Sequence, residues 1–203
     1  MSIAVIQANI GDFDNVLPIP AQSVPYDYFL FTEDNLPVPL ATFHPRQQST
    51  YLKHQAHRYL PGYDYYIWID GRIEVISEDF VNDISSQTKQ ITVTKHPVRQ
   101  YIYDEYECIF KLMVNGNQYL SSRYELKALK AERLKIKGDL PLYACGCFCW
   151  KADDYMKLFM NDWYRRTMEY SGFDQCWFSQ VAFERGIKVN PYGWDKVKLN
   201  KHK

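Results

Sequence analysis

The sequence predicts an α/β fold with a mixed central sheet flanked by helices, and three observations carry that prediction. Short apolar runs rich in β-branched and aromatic residues recur at strand length. Segments of helical periodicity separate them. Several of the runs stop abruptly in polar loops, as strands of an open sheet do where they offer their ends to a ligand. In order, the chain reads β, β, α, β, α, β, α, α, β, α, α, β. With 203 residues and 46% hydrophobic side chains it is long enough for a single domain with a substantial core.

Residues 3–6, Ile-Ala-Val-Ile, form the first expected strand and run into the polar loop 7–15. A connector with Pro18, Pro20 and Pro25 cannot be helix interior and leads to the second strand, 28–31, which ends in Thr32-Glu33-Asp34-Asn35. A helix is expected from Gln48 to Leu60, with Lys53, His54, His57 and Arg58 as one cationic patch and Pro61-Gly62 as its stop. The aromatic run 63–69 then ends in Asp70-Gly71-Arg72.

Ser77-Glu78-Asp79-Phe80 reads as the start of a short helix, and 91–94 as a β-branched strand ending at Lys95-His96-Pro97-Val98-Arg99. Helices are expected over 103–114 and 122–135, and a strand over 142–150. Asp153 caps a long helix in which Tyr155, Phe159 and Trp163 form one buried aromatic stripe. Ser171-Gly172 ends it, Phe173-Asp174-Gln175 opens a helix through Ala182, and 187–189 is a last short strand. The basic tail from Trp194 reads as a loose end.

Lys plus Arg and Asp plus Glu both number 24, so no net field draws the chain to nucleic acid or an anionic membrane. The 17 tyrosines supply rings for stacking on a sugar or base, or equally for the core and its rim. No run reaches transmembrane length and no basic leader opens the chain. Five cysteines, three of them bunched, do not form a secreted disulfide pattern, so a reducing, cytoplasmic setting is expected.

Asp70, just past a buried strand, is the first candidate for chemistry, because ligands of open sheets bind there. With Arg72 two residues on, it can hold opposite ends of one ligand, or simply form a salt-bridged turn. Asp12-Phe13-Asp14 is an acid, spacer, acid triplet that suits either a divalent cation or an Asx-type turn. Cys145, Cys147 and Cys149 alternate, so on a strand they share one face. Their sulfurs then lie roughly 6.6 Å and 13 Å apart, which a single tetrahedral ion cannot span. Asp174 reads as a helix cap or a cleft carboxylate, and His96 as a base, a ligand or a hydrogen-bonded rim histidine.

Together these fragments resemble the TOD/MUCI hexosyltransferase-like family, glycosyltransferases of GT-A architecture. Residues 3–14 resemble its first strand and Gly-x-aromatic-Asp turn, and Phe31-Thr32-Glu33-Asp34 its second-strand ending. Lys53 and His57 fall where its Lys and His precede the central strand. Residues 63–73 are similar to its Tyr-Asp-x-x-Ile-Trp-Ile-Asp-Gly signature, His96-Pro97-Val98-Arg99 to its His-Pro-x-Arg motif, and 103–107 to its acidic helix. Trp163 and Asp174-Gln175 continue the likeness, with Phe173 in place of the usual Arg.

The resemblance implies one GT-A-like domain, 1–203, whose half 1–100 binds the nucleotide sugar and whose half 101–203 meets the acceptor. Hexose-type transfer from a UDP-type or similar nucleoside-diphosphate donor to a glycan or glycoprotein follows. Gln7, Ala8, Asn9, Asp12 and Asp14 would cradle the nucleotide, with Lys53, His57, Gly71, Arg72 and Gly146 completing the donor side. Asp70 would hold Mn or Mg, although Arg72 replaces the second acid of the Asp-x-Asp motif. Asp174, then Glu105, are the catalytic carboxylates. The cytoplasm would be the host's if the chain is viral. The rival reading is a non-catalytic nucleotide- or carbohydrate-binding module, or one domain of a larger glycan-building enzyme.

Overall fold

The computed structural model describes residues 1–38, 40, 43–115, 140–171 and 173–201. The expected helix over 122–135 lies outside them. The central sheet has six strands: β1 (Ile3–Ala8), β2 (Asp27–Phe31), β3 (Tyr65–Ile69), β5 (Ile91–Lys95), β6 (Tyr143–Lys151) and β7 (Val189–Tyr192), in the order β2-β1-β3-β6-β5-β7. β1 pairs parallel with both β2 and β3, β6 is antiparallel to β3 and β5, and β7 is parallel to β5. The sheet is therefore mixed, as expected.

The connection out of β1 runs to β2 on one side and the connection out of β3 runs on toward β5 on the other, so the two diverge. That divergence opens a crevice beyond the carboxyl ends of β1 and β3, where an α/β sheet takes its ligands.

Alternation along the strands divides the core in two. Ala4, Ile6, Tyr66, Trp68, Phe148 and Trp150 face α1 (Pro45–His54), α2 (Ala56–Tyr59), α5 (Asp154–Arg166) and α6 (Asp174–Glu184). Ile3, Val5, Ile67, Ile69 and Cys149 face α3 (Phe80–Gln87) and a small second sheet, in which β4 (Ile73–Val75) pairs antiparallel with β8 (Val197–Leu199). The tail is thus a strand, and Ile73 pairs with Leu199 and Val75 with Val197. The last strand of the main sheet begins at Val189, two residues later than 187.

α1 begins at Pro45, three residues before Gln48. Pro45 occupies the first turn, where no N–H is needed, and His44 Nδ1 accepts from Arg46 N–H as the cap. The helical segment also breaks at Gln55. The cationic patch does not form: Lys53 and His54 are buried, His57 packs edge-on to Trp150, and Arg58 donates to Asn161 at 3.1 Å.

Asp153 does cap α5, accepting from Met156 N–H at 2.9 Å. The buried stripe of α5 is Met156, Phe159, Met160 and Trp163, whereas Tyr155 is 44% exposed and donates to the Arg185 carbonyl. Three residues spaced by four drift around a helix of 3.6 residues per turn, so the first member leaves the face. A π-helical turn, Thr167–Ser171, continues α5 to the expected stop. α4 (Ile102–Val114) starts within a residue of its expected position.

The three alternating cysteines do not share a face. Cys145 packs with Phe148 and Trp150, and Cys147 and Cys149 pack on the opposite side. The register of β6 against β5 jumps from Phe148 to Ala144 between Val93 and Thr94, so an irregularity at Gly146 turns the chain over. All three stay buried and reduced.

Candidate active site

The alternation of β3 aims its terminal acid. Tyr66 and Trp68 point toward α1, and Asp70, two residues beyond Trp68, continues on that side. α1 meets it with Lys53, whose side chain is 10% exposed. The Lys53 ammonium stands 3.6 Å from Asp70 Oδ1 and 2.5 Å from Asp174 Oδ2 at the start of α6. Trp68 and Phe148 flank the ammonium at 5.8 and 5.9 Å from their ring centroids.

Asp70 is held from three sides. Its Oδ1 accepts from Trp68 Nε1–H at 2.6 Å, and its backbone N–H donates to the Gly146 carbonyl at 2.7 Å. A Cβ built on Gly146 would lie 2.7 Å from Asp70 Oδ2, so the space left by that glycine is filled by the carboxylate. Gly71 is used similarly, because a Cβ there would meet Asp14 Cβ at 2.9 Å and Oδ2 at 3.0 Å. The 7–15 loop thereby closes against the Asp70 turn.

Within that loop Asn9 accepts from Asp14 N–H at 3.2 Å and donates to the Asp14 carbonyl at 3.1 Å, while Gly11 N–H donates to Glu33. Asp12 adopts φ 51°, a left-handed conformation, and its Oδ1 lies 3.4 Å from Asn9 Nδ2. Gln7 is buried beneath the loop; its Oε1 accepts from Tyr28 OH at 2.7 Å, and its Nε2 has no partner among the described residues. Ala8 is buried at the strand end.

Burial by itself would raise the Asp174 carboxyl. The Lys53 ammonium and the Gln175 N–H outweigh it and hold Asp174 below the usual carboxylate range. Burial raises Asp70 above its ordinary value, against the pull of Lys53, Trp68 and Arg72. For Lys53, burial works against the charge, but Asp174 and Asp70 more than reverse it and the ammonium is stabilised. The two carboxylates are thus pushed in opposite directions, with Asp174 the firmly ionised one.

Glu105, on α4, joins the same region through Gln175. Its Oε1 accepts from Gln175 Nε2 at 3.1 Å, and its Oε2 pairs with Arg99 at 2.5 Å. Burial raises its carboxyl, with Arg99 opposing. His96 is the hydrogen-bonded rim histidine: its Nδ1 accepts from Arg99 N–H at 2.9 Å, and burial lowers the ring to about 4. Phe173 lies under the Arg46 guanidinium at 4.3 Å from its centroid. A cation from α1 thus covers the aromatic ring that stands in place of the usual Arg.

His57 does not join the cluster; its partner Trp150 pairs with Tyr66, toward the opposite end of β3 from Asp70. Three contributors were not anticipated from the sequence as site residues. Trp68 donates to Asp70, Trp163 donates its Nε1–H to the Asp174 carbonyl at 2.8 Å, and His54 stacks edge-on to Trp163 at 4.2 Å. For Trp68 the signal was present, since its spacing of two from Asp70 puts both on one strand face.

A divalent ion held by Asp70 meets a poor donor set. Among the described residues no three His, Cys, Asp or Glu side chains converge. Asp70 Oδ1 already takes the indole N–H and faces an ammonium, and Oδ2 rests on Gly146. The Lys53 ammonium already occupies the space between the two carboxylates, so an ion bound to both Asp70 and Asp174 would have to displace it. These residues do not fit a metal held in the two-carboxylate manner.

No family model and no curated protein matches the chain, so the TOD/MUCI resemblance rests on its motifs. Among solved structures, the chain is similar to apo mouse xyloside xylosyltransferase 1, with a TM-score of 0.54 and 7% identity over 96% of this chain and 86% of that one. It also aligns with a glycosyltransferase involved in glycosylation of the major capsid of PBCV-1, with a TM-score of 0.49 and 8% identity over 96% and 83%. The first of these likenesses shows the fold, a GT-A-like α/β architecture with its mixed sheet. No helix among the described residues is long and apolar enough to cross a membrane.

Proposed function

We propose that the chain is a glycosyltransferase that moves a hexose-type sugar from a nucleoside-diphosphate donor to a hydroxyl of a glycan or glycoprotein. The observation that carries this reading is the Asp70–Lys53–Asp174 cluster at the mouth of the β1/β3 crevice of a GT-A-like fold. Such transfer breaks the bond from the sugar's anomeric carbon to the diphosphate oxygen, and the electron pair leaves with the diphosphate. The anomeric carbon bonds to the acceptor oxygen, whose proton must be taken up. Fixed positive charge near the departing diphosphate lowers that barrier, and Lys53 and Arg72 supply it.

Asp174, ionised and tied to Lys53, is suited to accept hydrogen bonds from sugar hydroxyls and so fix the donor sugar. A carboxylate held below its usual range is a weak base. Glu105, whose carboxyl is raised, is the better proton acceptor of the two if the reaction inverts. The loop of Gln7, Asn9, Asp12 and Asp14 closes over Gly71 at the crevice, where the nucleotide would lie.

The test is release of nucleoside diphosphate from a panel of nucleotide sugars, with and without glycan acceptors. Turnover that collapses in Asp70→Ala supports the assignment. Full turnover in Asp70→Ala removes the assigned centre, and nucleotide binding without turnover over the whole panel favours the non-catalytic module.

A further inference from the structure

The Lys53 ammonium is buried between two carboxylates. Burying a lysine opposes its charge, so the site retains the cation only because Asp70 and Asp174 both face it. The ammonium itself lies over the Trp68 and Phe148 rings, at 5.8 and 5.9 Å from their centroids. Arg72 stands at the sequence position of the second metal-binding acid, and its charge acts on Asp70 in the same sense as Lys53. Lys53 at 3.6 Å, and Arg72 more weakly, therefore both favour the charged form of the carboxylate that would otherwise recruit an ion.

We propose that Lys53, fixed by Asp70 and Asp174, takes the place of a divalent cation, so that nucleoside diphosphate binds and is released as a leaving group without metal. This rests on the glycosyl-transfer reading above. Lys53 has three N–H donors, and its contacts to Asp70 and Asp174 leave one for a phosphate oxygen. In the transfer step, the electron pair of the breaking bond moves onto the diphosphate, and the ammonium and guanidinium meet that charge. Neither changes protonation state, and the acceptor's proton goes to a carboxylate or to water. Asp70 then has a different task from chelation: together with Asp174 it keeps the ammonium charged and aimed.

The test uses the intact protein freed of metal with EDTA. Titration calorimetry with UDP and GDP should give dissociation constants in EDTA that agree within about threefold with those in Mn. Electron paramagnetic resonance of Mn already mixed with UDP should show no further loss of the free-ion signal when the protein is added. This arm needs no substitution. In a second arm, Lys53→Met should weaken UDP binding in EDTA by about tenfold or more, while Lys53→Arg, which keeps the charge, stays within a few-fold of the native protein. Binding of UDP or GDP only in Mn, with the ion immobilised, overturns the proposal and leaves glycosyl transfer standing. Absence of binding to either nucleotide in both buffers overturns the glycosyl-transfer reading, and this proposal falls with it.

Discussion

Gly146 and Asp70 share one small volume: a Cβ on the glycine would lie 2.7 Å from the Asp70 Oδ2 and 3.3 Å from its Cγ. The glycine is there for the carboxylate. Gly146→Ala should push Asp70 off its place beside Lys53 and lower turnover roughly a hundredfold, with a stability loss of about 1–3 kcal/mol from overpacking. Gly62→Ala is the control. With φ 99° and open space around it, it should cost about 1–2 kcal/mol of backbone strain and leave turnover unchanged. Urea denaturation beside steady-state rates separates the two effects.

Trp68→Phe removes the indole N–H that reaches Asp70 at 2.6 Å. That bond helps the ionised form, so without it the Asp70 carboxyl rises further. If turnover requires ionised Asp70, the acid limb of the rate profile should move to higher pH in the variant. An unmoved limb would mean that Asp70 does not set it.

Burial lowers the His54 ring to about 4, from an ordinary 6.5. Between those values the unfolded chain binds a proton that the folded chain refuses. This contribution is fully present above pH 6.5 and is lost as pH falls toward about 4. His54→Phe should make the fall in urea midpoint over that window shallower. His57 and His96, also lowered to about 4, leave part of the slope in place.

Trp163→Phe keeps an aromatic ring against His54 and Phe178 but loses the Nε1–H donated to the Asp174 carbonyl. A loss of about 1–3 kcal/mol in stability is expected, because the Asp174 carbonyl is left without that donor. If Trp163 also positions the start of α6, KM for the donor rises together with it.

Asp154→Asn breaks the ion pair with Lys157, in which the Asp154 side chain is 96% exposed. It should leave both the urea midpoint and turnover where they are, since solvent already screens that pair.

The centre of this site was legible because a single local rule produced it. An aromatic strand ending in Asp70-Gly71 put the acid in the crevice, and period-two alternation from Tyr66 and Trp68 put it on the side of Lys53. Asp153 was readable for the same reason, as a local cap on the Met156 N–H. What escaped depended on non-local pairing. β4 and β8 are three residues each, too short for a pattern, and β8 is defined only by a partner distant from it in the sequence. The shared face assumed for Cys145, Cys147 and Cys149 failed because the break in register at Gly146 is fixed by packing against β5 and Asp70, which spacing alone does not encode. The patch expected from Lys53, His54, His57 and Arg58 dissolved because the helix breaks at Gln55 and α1 and α2 give each residue a different neighbour.

The pairing of β8 with β4 makes the last strand among the described residues part of the frame of the crevice. Asn200 N–H donates to the Arg72 carbonyl at 2.9 Å, and Ile73, the next residue, pairs with Leu199. Residues 199 and 200 therefore bear directly on the segment that follows the Asp70 turn. Shortening the chain by its last few residues would act on Arg72 from behind, loosening the donor cleft while every residue of its motif stays unchanged.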